Sequence, residues 1–175
     1  MDHLYSPWRY RYLTEPRPAD ADACVFCAQL TRSDEEALVV HRGAHNAILL
    51  NLYPYTSGHI LIVPHAHVAT LGGCAPEARA EMLELAVRAE AVLGAEYRPQ
   101  GINVGLNLGE AAGAGIAGHL HLHVVPRWFG DANFMTVVGE TRVLPETLEQ
   151  TYRRLRGAFR QAAAGVAGAS TPPTP

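Results

Sequence analysis

The sequence predicts an α+β domain built on an antiparallel sheet, and three observations carry that expectation. Two β-type pairs are each closed by a turn or Gly-rich link, two stretches, the first rich in Ala, Glu and Leu, show helical periodicity, and the order is strand pair, helix, strand pair, helix. The 175 residues suit one domain that buries its own core without staples. In the first pair, residues 47–53 (AILLNLY) and 59–63 (HILIV) flank PYTSG, a Pro/Ser/Gly turn. After Pro76, which suits a first helical turn, EARAEMLELAVRAEAVL sets Met82, Leu85, Ala86, Ala89, Val92 and Leu93 at helical spacing, with Gly94 as the expected stop. The second pair is residues 101–108 (GINVGLNL) and 119–126 (HLHLHVVP), joined by a Gly/Ala loop at 109–118. Pro145 is expected to open the last helix, ETLEQTYRRLRGAFRQ, with Leu148, Tyr152, Leu155 and Phe159 along one stripe. Residues 1–22 read as an N-terminal arm, 23–160 as the domain and 161–175 as a disordered tail.

Composition removes several function classes. All 14 cationic side chains are Arg, against 17 acidic residues, for a formal charge of −3. Without Lys there is no Walker-type phosphate loop and no Schiff-base amine, so an anionic substrate must be held by Arg, His, backbone N–H groups or a metal. Nearly balanced charge gives no nucleic-acid surface. No apolar run approaches the ~20 residues of a spanning helix, and the first 20 residues are not signal-like, so a cytoplasmic protein with no membrane partner is expected.

The nine His residues are unevenly placed. His119, His121 and His123 alternate with Leu120, Leu122 and Val124, so on a strand the imidazoles share one face while the aliphatic residues enter the core. Neighbouring His Cα atoms would then lie roughly 6.5–7 Å apart. Three readings follow: unrelated surface residues, a three-His metal centre, or a nucleophile toward phosphorus. Thr or Val would pack better than the first requires, and consecutive His on a straight strand usually bring only two ligands to one ion. The third reading needs one ring nitrogen held as N–H while the other attacks, with a neighbouring His to hold the nucleophile or protonate the leaving group. Cys24 and Cys27 have the spacing of half a tetrahedral metal site, a redox pair or an inert vestige. Cys74 reads as a small filler and His59 as support for the sheet. Arg127 is either a polyphosphate contact or an ordinary surface residue, and Trp128 either stacks on a base or packs at a subunit contact.

HLHLHVV resembles the signature of the histidine triad (HIT) nucleotide hydrolases and transferases. The likeness extends over LNLYPYTSGHILIVPHAHV, GINVGLNLGEAAGAGIAG and PWRYRYL followed by CVFC, and PRWFGDANFM is similar to a branch described as diadenosine tetraphosphate phosphorylases. The resemblance implies a sheet of about five strands with two main helices, and a homodimer, since members pair their sheets. It implies His121 as the nucleophile toward an α-phosphate, His123 at the phosphate or bridging oxygen, and His119 beside them. Asn107 falls next to the phosphates, Gly113 and Gly115 in a loop that donates backbone N–H groups, and Asn51 at the ribose. It also implies His67 and His119 as partners of Cys24 and Cys27 in a structural zinc site, with no organic cofactor. The expected substrate is a purine nucleotide or dinucleoside polyphosphate, with inorganic phosphate as acceptor for a phosphorylase and water for a dinucleoside polyphosphate or phosphoramidate hydrolase. A nucleotide-binding module without turnover and a hydrolase using the His row as its metal centre are the competing readings.

Overall fold

A computed structural model of the chain, described over residues 24–133, 136 and 144–168, contains one five-stranded antiparallel sheet. In chain order the elements are α1 (Val25–Leu30), β1 (Val39–Arg42), β2 (Asn46–Leu50), β3 (Ile60–Pro64), α2 (Pro76–Tyr97), β4 (Gly101–Leu106), β5 (Leu122–Arg127) and α3 (Leu148–Gly168). The strand order is β1-β2-β3-β5-β4, so the two predicted pairs, β2–β3 and β4–β5, lie side by side and join through β3 and β5. β1 completes the sheet on the far side of β2.

Alternation along the strands builds two cores. Ile48, Leu50, Ile60, Ile62, Leu122 and Val124 face α2 and α3, where they meet Leu85, Leu93, Leu155 and Phe159. Ala47, Leu49, Leu61 and Val63 point the other way and pack under Phe26 of α1. Each Leu, Ile or Val among them contributes about 1.5–3 kcal/mol by leaving water. All six apolar positions predicted for α2 are buried, as are Tyr152, Leu155 and Phe159 of the α3 stripe. Cys74 is a buried member of the larger core, as expected of a filler.

Several boundaries differ from expectation. Ordered strand pairing in β5 begins at Leu122, so His119 and His121 precede the strand and only His123 lies on it. The cause is local: Leu120 N–H donates to Val68 O, outside the sheet ladder, and the His121 ring turns back to the carbonyl of His119. α2 passes through Gly94 and ends after Tyr97, where Arg98 adopts the left-handed conformation with φ 48° and donates its N–H to Gly94 O. Tyr97 holds that extra turn, donating its hydroxyl to Glu146 Oε2 at 2.9 Å. α3 starts at Leu148, three residues after Pro145, because Thr147 and Gln150 form a reciprocal cap: Gln150 N–H donates to Thr147 Oγ1 and Thr147 N–H to Gln150 Oε1. The same helix runs to Gly168, beyond residue 161 where the tail was expected to start. The predicted arm, residues 1–22, lies outside the described residues. No helix among the described residues is long and apolar enough to cross a membrane.

Candidate active site and metal centre

The His row and β3 present imidazoles to the same side of the sheet. Leu61 pairs with His123 across the β3–β5 ladder, so His59, two residues before Leu61, falls in phase with it. His119 and His121 are 1% and 6% exposed. Phe26 covers both, its ring centroid 5.5 Å from that of His119 and 5.0 Å from that of His121. The His121 and His123 rings lie 4.9 Å apart.

Hydrogen-bond partners assign the protons. A carbonyl oxygen only accepts, so the 2.8 Å contact between His121 Nδ1 and His119 O makes Nδ1 the protonated nitrogen. His121 Nε2 therefore carries the lone pair. His123 has the opposite arrangement. Tyr55 N–H donates to His59 Nδ1 at 3.1 Å, which leaves the proton of His59 on Nε2, and that N–H donates to His123 Nδ1 at 3.0 Å. The proton of neutral His123 is then on Nε2, a buried atom with no protein partner. Adjacent imidazoles thus offer a lone pair and an N–H donor. Burial lowers the His121 pKa below the ordinary 6.5, opposed by the bond to His119. Burial, reinforced by the neighbouring His121, lowers that of His123 to about 4. Both rings are neutral at physiological pH.

His59 was read from sequence as sheet support, and the structure buries it and sets it against His123. The available signal was the strand period, which puts residue 59 on the face of the His row. Asn51 lies beside His59, with Nδ2 3.4 Å from both ring nitrogens and Oδ1 accepting from Tyr53 N–H. Asn107 follows β4 and lines a cleft of about 400 Å³ together with His123, Asn103 and Arg127. Gly113 ends the 3-10 turn Glu110–Ala112 at φ 91°, and its N–H donates back to Glu110 O at 2.9 Å. That N–H is therefore engaged inside the loop, while Gly115 has no such internal bond among the described residues. Arg127 is engaged too: Nε and Nη2 donate to the two carboxylate oxygens of Asp131, and Nη1 to Asn103 Oδ1.

At the other end of the row four ligand groups converge. One donor atom each from Cys24, Cys27, His67 and His119 lies within 4.8 Å of all the others. Cys24 Sγ is 3.2 Å from His119 Nδ1, Cys27 Sγ 3.6 Å from the same atom and 3.4 Å from His67 Nδ1. Around a tetrahedral zinc, bonds of about 2.3 Å to sulfur and 2.05 Å to nitrogen put those atoms roughly 3.6 Å apart. His119 is prepared for the role, because its Nε2 donates to Pro64 O at 2.9 Å and leaves the Nδ1 lone pair facing the thiols.

The HIT domain model matches residues 32–130. The chain is 43% identical over 161 residues to the AP-4-A phosphorylase of Mycobacterium tuberculosis, covering 89% of this chain and 83% of that one. Among solved structures, a Zn-bound histidine triad family protein from Mycobacterium smegmatis matches with TM-score 0.65 and 29% identity, over 83% of this chain and 99% of that one. A hypothetical histidine triad nucleotide-binding protein from Sulfolobus tokodaii shares the fold with TM-score 0.67 at 22% identity, over 85% of this chain and 100% of that one.

Proposed function

Because the chain belongs to the HIT domain family, we propose that it is a nucleotidyl transferase working through a nucleotidyl-histidine on His121, with diadenosine tetraphosphate as substrate and inorganic phosphate as acceptor. The observation that carries the chemistry is the pair of opposed tautomers. His121 Nε2 attacks the α-phosphorus, forming an N–P bond as the P–O bond to the leaving polyphosphate breaks. His123 Nε2–H meets the departing or non-bridging oxygen. The acceptor then attacks phosphorus and breaks the N–P bond, returning His121 to its starting state. The choice of substrate and acceptor is supported by the 43% identical relative named AP-4-A phosphorylase. Asn107 and Gly115 contact the phosphates, and Asn51 the ribose.

In this reading Cys24, Cys27, His67 and His119 hold a structural zinc, which supplies a rigid anchor and no chemistry at phosphorus. The support is the donor set and its spacing. The protein acts as a cytoplasmic homodimer.

Incubation with diadenosine tetraphosphate, with and without phosphate, followed by separation of nucleotides, tests the reading. Phosphate-dependent formation of ADP and ATP is expected, and His121→Asn lowers the rate about 10³-fold or more. AMP plus ATP regardless of phosphate would make it a hydrolase, and full turnover by His121→Asn would end the nucleophile assignment.

A further inference from the structure

The face of β5 that carries His123 also carries Val125 and Arg127, in that order. Four residues of strand separate the Cα atoms of His123 and Arg127 by about 13 Å. Across the ladder, β4 sets Gly105 opposite His123, Asn103 opposite Val125 and Gly101 opposite Arg127. A Cβ at either glycine would meet nothing within 4 Å. The two glycines leave a trough along this face on either side of Asn103, and its Gly105 end lines the cleft of about 400 Å³. His123 stands at one end and Arg127 at the other, the only Arg among its lining residues in a chain without Lys.

Arg127 is set as a receptor rather than left to wander. Asp131 grips it through two bonds, 2.6 and 2.8 Å, and Asn103 through a third of 2.6 Å. A guanidinium has five N–H donors. Three are used, and one hydrogen on each Nη remains for a ligand. The Arg127 side chain is 45% exposed while that of Asp131 is 13% exposed, so the carboxylate sits behind the guanidinium and orients it. Past this residue a second cleft of about 430 Å³ opens, lined by Tyr97, Trp128 and Phe129. Phe129 is 92% exposed although its N–H is tied to Gln100 Oε1.

We propose that Arg127 binds the distal phosphates of the leaving polyphosphate and thereby selects long phosphate chains over short leaving groups. The inference rests on the nucleotidyl-transfer reading, in which the α-phosphorus reacts beside His121 and His123 and the chain beyond it runs along the trough.

The test compares diadenosine tetraphosphate with adenosine 5′-phosphoramidate, whose leaving group carries no phosphate, in wild type, Arg127→Ala and Arg127→Lys. Charge-assisted bonds of this kind translate into a loss of about 10- to 100-fold in kcat/KM on the tetraphosphate for Arg127→Ala, several times greater than its loss on the phosphoramidate. Arg127→Lys keeps charge without the fork and falls between. Calorimetry with inorganic tripolyphosphate reads the same contact without turnover, and Arg127→Ala weakens that binding by a similar factor while thermal unfolding reports that the variant is folded. Equal losses on the two substrates, or unchanged tripolyphosphate affinity, mean that Arg127 only braces the turn to Asp131 and overturn the proposal. If wild type turns over neither nucleotide, the functional reading falls and this proposal with it. A wild-type preference for the tetraphosphate that survives Arg127→Ala overturns the proposal alone.

Discussion

At His121 a backbone carbonyl decides which nitrogen carries the lone pair. The bond from Nδ1–H to His119 O holds one tautomer, and burial keeps the ring uncharged. At His123 the chain from Tyr55 N–H through His59 delivers the opposite tautomer. The sign of the pH dependence follows. Folded His121 and His123 bind protons less readily than the unfolded chain does, since both pKa values lie below 6.5 and that of His123 at about 4. Their contribution to stability is therefore complete above about pH 6.5 and is lost as pH falls from there toward 4, where the unfolded state holds more protons. Thermal melts of His121→Asn;His123→Asn alongside wild type read this: the wild-type Tm should fall more steeply than that of the double variant across that window. Parallel curves would show that the two imidazoles are not charge-sensitive in the fold. In the proposed reaction the acid limb of kcat/KM should likewise lie below pH 6.5, because burial holds the His121 pKa below its ordinary value.

The element that links the Cys/His cluster to the His row is α1, a helix of six residues whose flanking Cys24 and internal Cys27 reach His119 while Phe26 lies against His119 and His121. One short helix therefore positions both the thiols of the candidate metal site and the cover of His121. Isolated helices of this length do not persist in water, so α1 depends on what its side chains bind. Cys24→Ser should lower metal content per chain from one toward zero, measured by elemental analysis of purified protein, and lower Tm through the loss of α1. A Cys24→Ser protein with wild-type zinc content would remove Cys24 from the ligand set.

For the whole molecule, the strand order leaves β1 and β4 at the edges. β1 is covered: Arg156 of α3 donates to Val39 O, and Asp34 receives both Arg42 and Arg156. β4, with sequence GINVGL, has no charge, no proline and no bulge, and Val104 is 51% exposed. Such an edge invites pairing with another strand, and Leu83 and Val87 of α2 add exposed apolar surface. These features support the proposed homodimer, and Val104→Arg should shift sedimentation toward monomer, whereas an unchanged mass would take β4 out of the proposed interface. The two hairpins, the buried faces of α2 and α3 and the common face of the His row were legible in the chain, because periods of 2 and 3.6 are written locally in residue order. Where α2 ends and α3 begins was not, since Tyr97 and Thr147 outweighed Gly94 and Pro145 through contacts that no periodicity encodes. The candidate metal partners His67 and His119 and the proposed phosphate-side residues came from family resemblance rather than from pattern. By itself the sequence determined the fold class, the row of imidazoles and the absence of any Lys to handle phosphate. Only the tertiary structure decided which nitrogen of each imidazole carries a proton, that His59 serves His123, and that Arg127 is held at the far end of the trough. The reason is that a tautomer is set by its hydrogen-bond partner, and Pro64 is 55 residues from His119 and His59 is 64 from His123.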